Sequence, residues 1–134
     1  INPEQIDQVA SLFSSENVTI ATLAKKIEDE SIITDINSPK AIFDSNGIAL
    51  NFSRKITNPK QEKIYFKHIG IYGYLTETLT EICKLSPSDN EIKEHLEQLR
   101  WLDNKYLIKV GITTHESISV DKPEDIEKIK AQMG

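Results

Sequence analysis

One stretch constrains the fold more than any other: Ile64-Tyr65-Phe66-Lys67-His68-Ile69-Gly70-Ile71-Tyr72-Gly73-Tyr74. Its β-branched and aromatic residues predict a strand. Alternation across that strand places Ile64, Phe66, His68, Gly70, Tyr72 and Tyr74 on one face, and Tyr65, Lys67, Ile69, Ile71 and Gly73 on the other. At about 3.3 Å per residue, His68 and Tyr72 are expected roughly 13 Å apart, with Gly70 between them adding no side chain. A titratable ring and a phenol flanking an empty space would make the floor of a ligand site. The same residues also describe a central strand with a satisfied core histidine, where Gly70 admits a neighbouring backbone. Composition by itself favours that plainer reading.

The flanking segments set the class. Asn2-Pro3-Glu4-Gln5 is a helix start with a cap, a proline at the first helical position and capping-box spacing. Ile6, Val9, Ala10 and Phe13 then recur at helical period and predict a helix over 3–14. Val18–Ala24 reads as a strand, with a short helical segment expected around Glu28–Ile33. Pro39–Asp44 and Ile48–Ser53 flank Ser45-Asn46-Gly47, a hairpin signature. Arg54–Gln61 is polar, contains Pro59 and reads as a loop.

A helix starting at Leu75 or Thr76 should carry Leu79, Ile82 and Leu85 on one side. Glu91–Asp103 is expected to be one helix with Ile92, Leu96, Leu99 and Leu102 as its apolar stripe. Its opposite side holds Glu94, Glu97 and Trp101, with Gln98 on the flank. A solvated face does not normally carry a Trp, so this face is expected to meet a partner chain, another segment or a ligand. Tyr106–Thr113 is a strand, Ser117–Val120 a short extended run, and Asp121–Asp125 opens a last helix with Ile126 and Ile129 inward. Strands alternating with helices give an α/β class, and the Asn46-Gly47 hairpin adds antiparallel character.

A chain of 134 residues is one domain's worth. Its charge of −5 argues against non-specific nucleic-acid binding, for which a basic patch is the expected footprint. No run is long and apolar enough to cross a membrane, and no signal sequence opens the chain. The single Cys83 excludes an internal disulfide, fits a reducing cytoplasm and, within a helix, reads as a small buried hydrophobe. The chain starts at Ile1 and its one methionine is Met133, which reads as a piece of a longer protein.

Chemistry is sparse. Asp121 lies at a strand-to-helix junction, where ligand sites gather in α/β sheets, yet with Glu124 it also fits a capping box. A lone carboxylate does not define a metal site, since Mg²⁺ takes one or two carboxylates plus substrate phosphates. Arg54 follows a strand and offers a bidentate fork for a carboxylate, or simple solvation. Gly47, Gly70, Gly73, Gly111 and Gly134 form no phosphate-cradling motif, and His68, His95 and His115 lack metal-ligand spacing. No complete active site is visible.

Phe52-Ser53-Arg54, His68-Ile69-Gly70-Ile71-Tyr72-Gly73-Tyr74, Leu96-Glu97-Gln98-Leu99-Arg100 and Val120-Asp121-Lys122-Pro123-Glu124-Asp125 occur in an order and spacing that resemble the 3-deoxy-manno-octulosonate cytidylyltransferase family. The resemblance covers residues 1–134 and is to the C-terminal half of that family: an acid-sugar-binding and dimer-forming part, without the N-terminal nucleotide-binding half. It implies a fragment of a Rossmann-like nucleotidyltransferase fold with a mixed sheet. It also implies transfer of CMP from CTP to the 2-hydroxyl of the octulosonic acid with release of pyrophosphate, for lipopolysaccharide biosynthesis. By position, Arg54, His68, Tyr72, Glu97 and Gln98 would line the acid-sugar site, and Asp121 would be the catalytic Mg²⁺ ligand.

A homodimer in the cytoplasm is implied as well. The family's Gly-rich segment is absent, so CTP binding and turnover are not expected of these residues alone. Ser119 stands where the family has glycine and Lys122 where it has threonine, and Pro59 falls one position late. Two other readings compete: a non-catalytic association module using the Trp101 face, and a cytidylyltransferase for a related acid sugar.

Overall fold

The chain is described by a computed structural model, which covers residues 1–118, 120 and 122–133. In chain order the elements are α1 (Pro3–Ser11), continued by a tight 3₁₀ turn at Leu12–Ser14, β1 (Ile20–Lys26), α2 (Ser31–Thr34), β2 (Lys40–Phe43) and β3 (Ala49–Ser53). After these come β4 (Phe66–Tyr74), α3 (Thr76–Ile82), α4 (Asp89–Glu94), α5 (Gln98–Asp103), β5 (Ile108–Ile112) and α6 (Pro123–Met133). The five strands form one mixed sheet in the order β3-β2-β4-β1-β5. Only the β1–β5 pair is parallel; β1–β4, β2–β3 and β2–β4 are antiparallel. The α/β class and the antiparallel hairpin expected from the sequence are both present.

Helices cover the sheet on both faces. On one, Ile20, Ala24, Ala41, Phe52, Ile108 and Val110 from four strands pack with Ile82, Leu96, Leu99 and Trp101. On the other, Ala21, Leu23 and Ile69 pack against Val9 of α1 and the partly buried Leu12 and Phe13. Gly73 lets α1 come this close, because a Cβ there would stand 2.7 Å from the Phe13 ring and 2.8 Å from Val9. The capping box at α1 forms as expected: Asn2 accepts from the Glu4 amide at 2.9 Å, and its own N–H donates to Gln5 Oε1 at 3.1 Å.

The hairpin turn sits on Gly47 at φ +76°, a left-handed backbone that glycine adopts without steric cost. Its tip docks on the far edge of the sheet. The Val110 amide donates to Gly47 O at 2.7 Å, Lys109 Nζ donates to Asn46 O, and Ile48 bridges to Lys109. The two edge strands therefore meet at one corner, and the sheet is curled.

Several expectations fail for identifiable reasons. The expected single helix over Glu91–Asp103 is two, because His95 takes the left-handed conformation (φ 54°, ψ 47°) and ends α4. The break puts the residues before and after it out of helical phase, so no single stripe runs through both helices. Ile92, expected in the core, is 58 % exposed, while Trp101, expected on the outer face, is 7 % exposed. Trp101 meets the rings of Tyr72 at 5.1 Å and Tyr74 at 5.6 Å, both edge-on, so the Trp101 face is covered by this chain's own strand β4. A free Trp101 surface for an association module does not exist in this fold. Cys83 is exposed rather than buried, since it falls just past the end of α3. Leu79 and Ile126 are also largely exposed; on α3 the inward positions are Thr78 and Ile82 instead.

Candidate functional site

A cleft of about 480 Å³ opens beside β4. His68, Ile69 and Gly70 form its floor, Asn37, Ser38 and Pro39 one wall and Arg54 another, with Ile1, Lys67, Ser117 and Ile118 completing it. The floor is shaped by a bulge. Thr22 pairs with Tyr72 while Leu23 pairs with Ile69, so Gly70 and Ile71 are extra residues on β4. Gly70 is exposed, and a Cβ there would meet nothing within 4 Å.

The bulge also corrects the expected spacing of His68 and Tyr72. Their rings are 5.4 Å apart, in contact and not separated by an empty slot. They belong to a continuous aromatic seam: Phe52 edge-on to His68 at 5.0 Å, then Tyr72, then the stacked Tyr74 and the edge-on Trp101. His68 Nε2 lies 2.9 Å from Thr22 Oγ1, whose hydroxyl has Ile71 O at 2.7 Å as its nearest carbonyl. With the threonine proton given to that carbonyl, the hydroxyl can only accept from the ring. His68 is therefore assigned the Nε2–H tautomer, leaving Nδ1 as an acceptor. Burial holds the ring down to about pKa 4, so it is neutral at physiological pH.

Tyr72 carries the one buried side-chain polar atom without a hydrogen-bond partner among the described residues, its phenolic oxygen. Burial, then the neighbouring Tyr74 and Glu97, push its ionisation well above the ordinary value. The phenol stays protonated and has a donor to give. Orphaned buried groups of this kind are rare and call for an absent partner such as a ligand or water. Tyr74 is pushed up to about 12 by burial and then by Glu97, which is itself exposed at the start of α5. Gln98, 5 % exposed, makes no side-chain hydrogen bond with the described residues.

Arg54 departs from the role of a free fork. Its Nε donates to Glu94 O at 2.9 Å, Nη2 to His95 O at 3.0 Å and Nη1 to Ile36 O at 3.2 Å. Two adjacent carbonyls take its side-on edge, so the guanidinium acts first as a strut between the cleft wall and the end of α4. Two of its five N–H groups remain.

Of the residues singled out in the sequence, the fold thus brings Arg54 and His68 into one cleft and places Tyr72 against His68. Glu97 comes near enough to Tyr72 and Tyr74 to act on their ionisation. Asp121 lies outside the described residues. Its neighbours Ile118, Lys122, Glu124 and Asp125 line a second cleft that shares Asn37, Ser38, Lys67 and Ile118 with the first. Among the described residues no group of three or more His, Cys, Asp or Glu side chains could hold a metal ion. The one metal ligand expected from the sequence, Asp121, is not among those residues.

Three groups escaped sequence reading. Thr22 fixes the His68 tautomer. Lys67, opposite Lys25 on β1, shares the carboxylate of Glu116 with it at 2.7 and 3.0 Å. Lys40 is fully buried. Strand register links all three to the site, and register is absent from a list of residues.

A family model described as Cytidylyltransferase matches residues 1–129. Among curated proteins, the chain is 44 % identical to the 3-deoxy-manno-octulosonate cytidylyltransferase of Parabacteroides distasonis, over 98 % of this chain and 57 % of that protein. The corresponding figures are 42 %, 95 % and 56 % for the enzyme of Bacteroides thetaiotaomicron, and 44 %, 95 % and 53 % for that of Thermodesulfovibrio yellowstonii. A solved structure of CMP:2-keto-3-deoxy-manno-octonic acid synthetase complexed with CTP superposes with a TM-score of 0.90 at 28 % identity. It covers 99 % of this chain and 56 % of that one.

Proposed function

We infer a function from membership: this chain belongs to the cytidylyltransferase family, and it spans a little over half the length of the curated relatives it matches. We propose that it provides the acid-sugar side of an enzyme that transfers CMP from CTP to 3-deoxy-manno-octulosonate. The 2-hydroxyl oxygen would bond to the α-phosphorus as the bond to the departing pyrophosphate breaks. Phosphoryl-transfer chemistry of this kind depends on positioning and charge stabilisation more than on covalent help from the protein.

The observation that carries the reading is His68 on the floor of the cleft, with the ring of Tyr72 packed against it from behind. One offers an acceptor and the other an unsatisfied donor, which is how a polyhydroxylated sugar is held. Arg54, with two N–H groups left, would face the sugar carboxylate, and Glu97 and Gln98 would take hydroxyls from the start of α5. Asp121 as an Mg²⁺ ligand rests on the family resemblance; the ion would neutralise phosphate charge, and the cleft lined by its sequence neighbours adjoins the His68 cleft. A homodimer and a cytoplasmic location, in a pathway to lipopolysaccharide, belong to the same reading. Among the described residues no helix is long and apolar enough to cross a membrane.

No phosphate-cradling glycine motif occurs in these 134 residues, so the chain alone is expected to bind the sugar without turning over CTP. Calorimetric titration with 3-deoxy-manno-octulosonate, followed by a pyrophosphate-release assay with CTP and Mg²⁺, checks both parts. Absence of sugar binding would overturn the assignment of the site. Tighter binding of an amino-substituted octulosonate would move it to a related acid sugar, a choice that the late position of Pro59 after Arg54 leaves to this measurement.

A further inference from the structure

Lys40 is the first residue of β2 and has no exposed surface. Lysine is almost never fully buried unless paired. Here the ammonium has carbonyl partners: Nζ donates to Asp35 O at 2.5 Å and to Arg54 O at 2.9 Å. Burial pulls its ionisation below the ordinary lysine value, opposed by Asp35. Register makes its position less favourable still. Lys40 stands directly opposite Lys67, which stands directly opposite Lys25, a row of three lysines in which Glu116 pairs with Lys67 and Lys25 and not with Lys40. Stability alone does not explain such a residue, since a well-packed apolar side chain commonly serves a buried position as well as an ion does.

An apolar chain could not join two segments through their carbonyls. Asp35 opens the turn whose Asn37, Ser38 and Pro39 form one wall of the cleft, and Arg54 forms the other. Arg54 Nη1 reaches Ile36 O at 3.2 Å, a second tie between the same two segments. Pro39 O accepts from the His68 amide at 2.8 Å, which connects this wall to the floor. Lys40 lies behind the wall and lines none of the cleft.

We propose that Lys40 is a positioning residue that fixes the distance between the 35–39 turn and Arg54, and thereby sets the affinity of the cleft for its acid sugar. The inference rests on the acid-sugar reading of the cleft. It assigns to Lys40 a role in ligand affinity that goes beyond holding β2 in the sheet.

The test is calorimetric titration of 3-deoxy-manno-octulosonate into the wild-type chain, Lys40→Met and Lys40→Gln, with thermal unfolding and amide NMR spectra of each. Methionine keeps the volume and removes the donors, whereas glutamine keeps two N–H donors on a shorter neutral chain. Lys40→Met should bind at least tenfold more weakly while amides of α1 and β5 keep their positions, and Lys40→Gln should recover part of the loss. Binding by Lys40→Met within twofold of wild type overturns the inference while leaving the cleft's assignment intact. Failure of both variants to fold also overturns it, because Lys40 would then be a residue of sheet stability. No binding by the wild-type chain rejects the acid-sugar reading itself, a result separable from the other two.

Discussion

Burial decides what His68 can do. Its ring is enclosed by Phe52, Tyr72 and Thr22, and desolvation lowers its pKa from 6.5 to about 4. Above pH 6.5 the folded and unfolded chains both hold the ring neutral, and the full stability is present. As pH falls below 6.5 the unfolded chain takes up a proton that the folded one refuses until about 4. Stability is therefore lost across that window, by a total of about 3 kcal/mol for this group. Urea unfolding between pH 7 and 4 should show this slope, and His68→Gln should lose that share of it. An equal slope in wild type and variant would show that the ring is not held neutral. That His68 and Tyr72 share one face of an aromatic strand was legible in the sequence. Their contact was not, because two extra residues at Gly70 and Ile71 alter a spacing that a regular strand would fix. Nor was the engagement of Arg54 legible, since its partners Ile36, Glu94 and His95 are remote in sequence and are met through backbone carbonyls.

Elements were read well where a local rule governs them. The Asn2–Gln5 capping box, the Asn46-Gly47 turn and the β4 strand all follow from short-range chemistry and all are present. The division of Glu91–Asp103 was missed because heptad-like spacing of Ile92, Leu96 and Leu99 suits one helix, and nothing near His95 signals a stop. Tertiary contacts enforce it: Arg54 draws on the carbonyls of Glu94 and His95, and Glu91 grips Arg100 of α5 through both carboxylate oxygens. A left-handed conformation costs a non-glycine residue roughly 1–2 kcal/mol. Glycine at the same position loses about 0.5–1 kcal/mol through its freer unfolded chain. The balance predicts that His95→Gly stabilises the protein by about 0.5 kcal/mol, without disturbing Arg54, whose contact is to a backbone oxygen. Thermal unfolding checks the sign. A lower melting temperature would mean that the imidazole contributes something beyond the backbone geometry.

At the scale of the molecule, the cleft depends on a segment outside regular secondary structure, the run from Thr113 to Ile118 after β5. What holds this run is the start of α1, more than a hundred residues away in sequence. Gln5 is fully buried and serves three partners: its Oε1 accepts from the Asn2 amide and the Ser117 hydroxyl, both at 3.1 Å, and its Nε2 donates to His115 O at 3.3 Å. His115 Nε2 meets Glu4 Oε2 at 2.5 Å, and on the opposite side of the run Lys67 reaches Glu116 and Ser117 O. Ser117 and Ile118 then line the cleft. The glutamine was legible only as half of a capping box, since a composition carries no trace of a contact spanning 112 positions. Gln5→Ala would remove all three bonds and strand the Asn2 amide and the His115 carbonyl, at a cost of about 2–4 kcal/mol. Because the loss falls at one junction, local opening of the 113–118 run should rise more than global unfolding does. Limited proteolysis under native conditions should then cut the variant within that run much faster than wild type, with cleavage in the β2–β3 hairpin unchanged. Acceleration spread evenly over the chain would mean that Gln5 supports the fold as a whole, and that the wall formed by Ser117 and Ile118 stands without it.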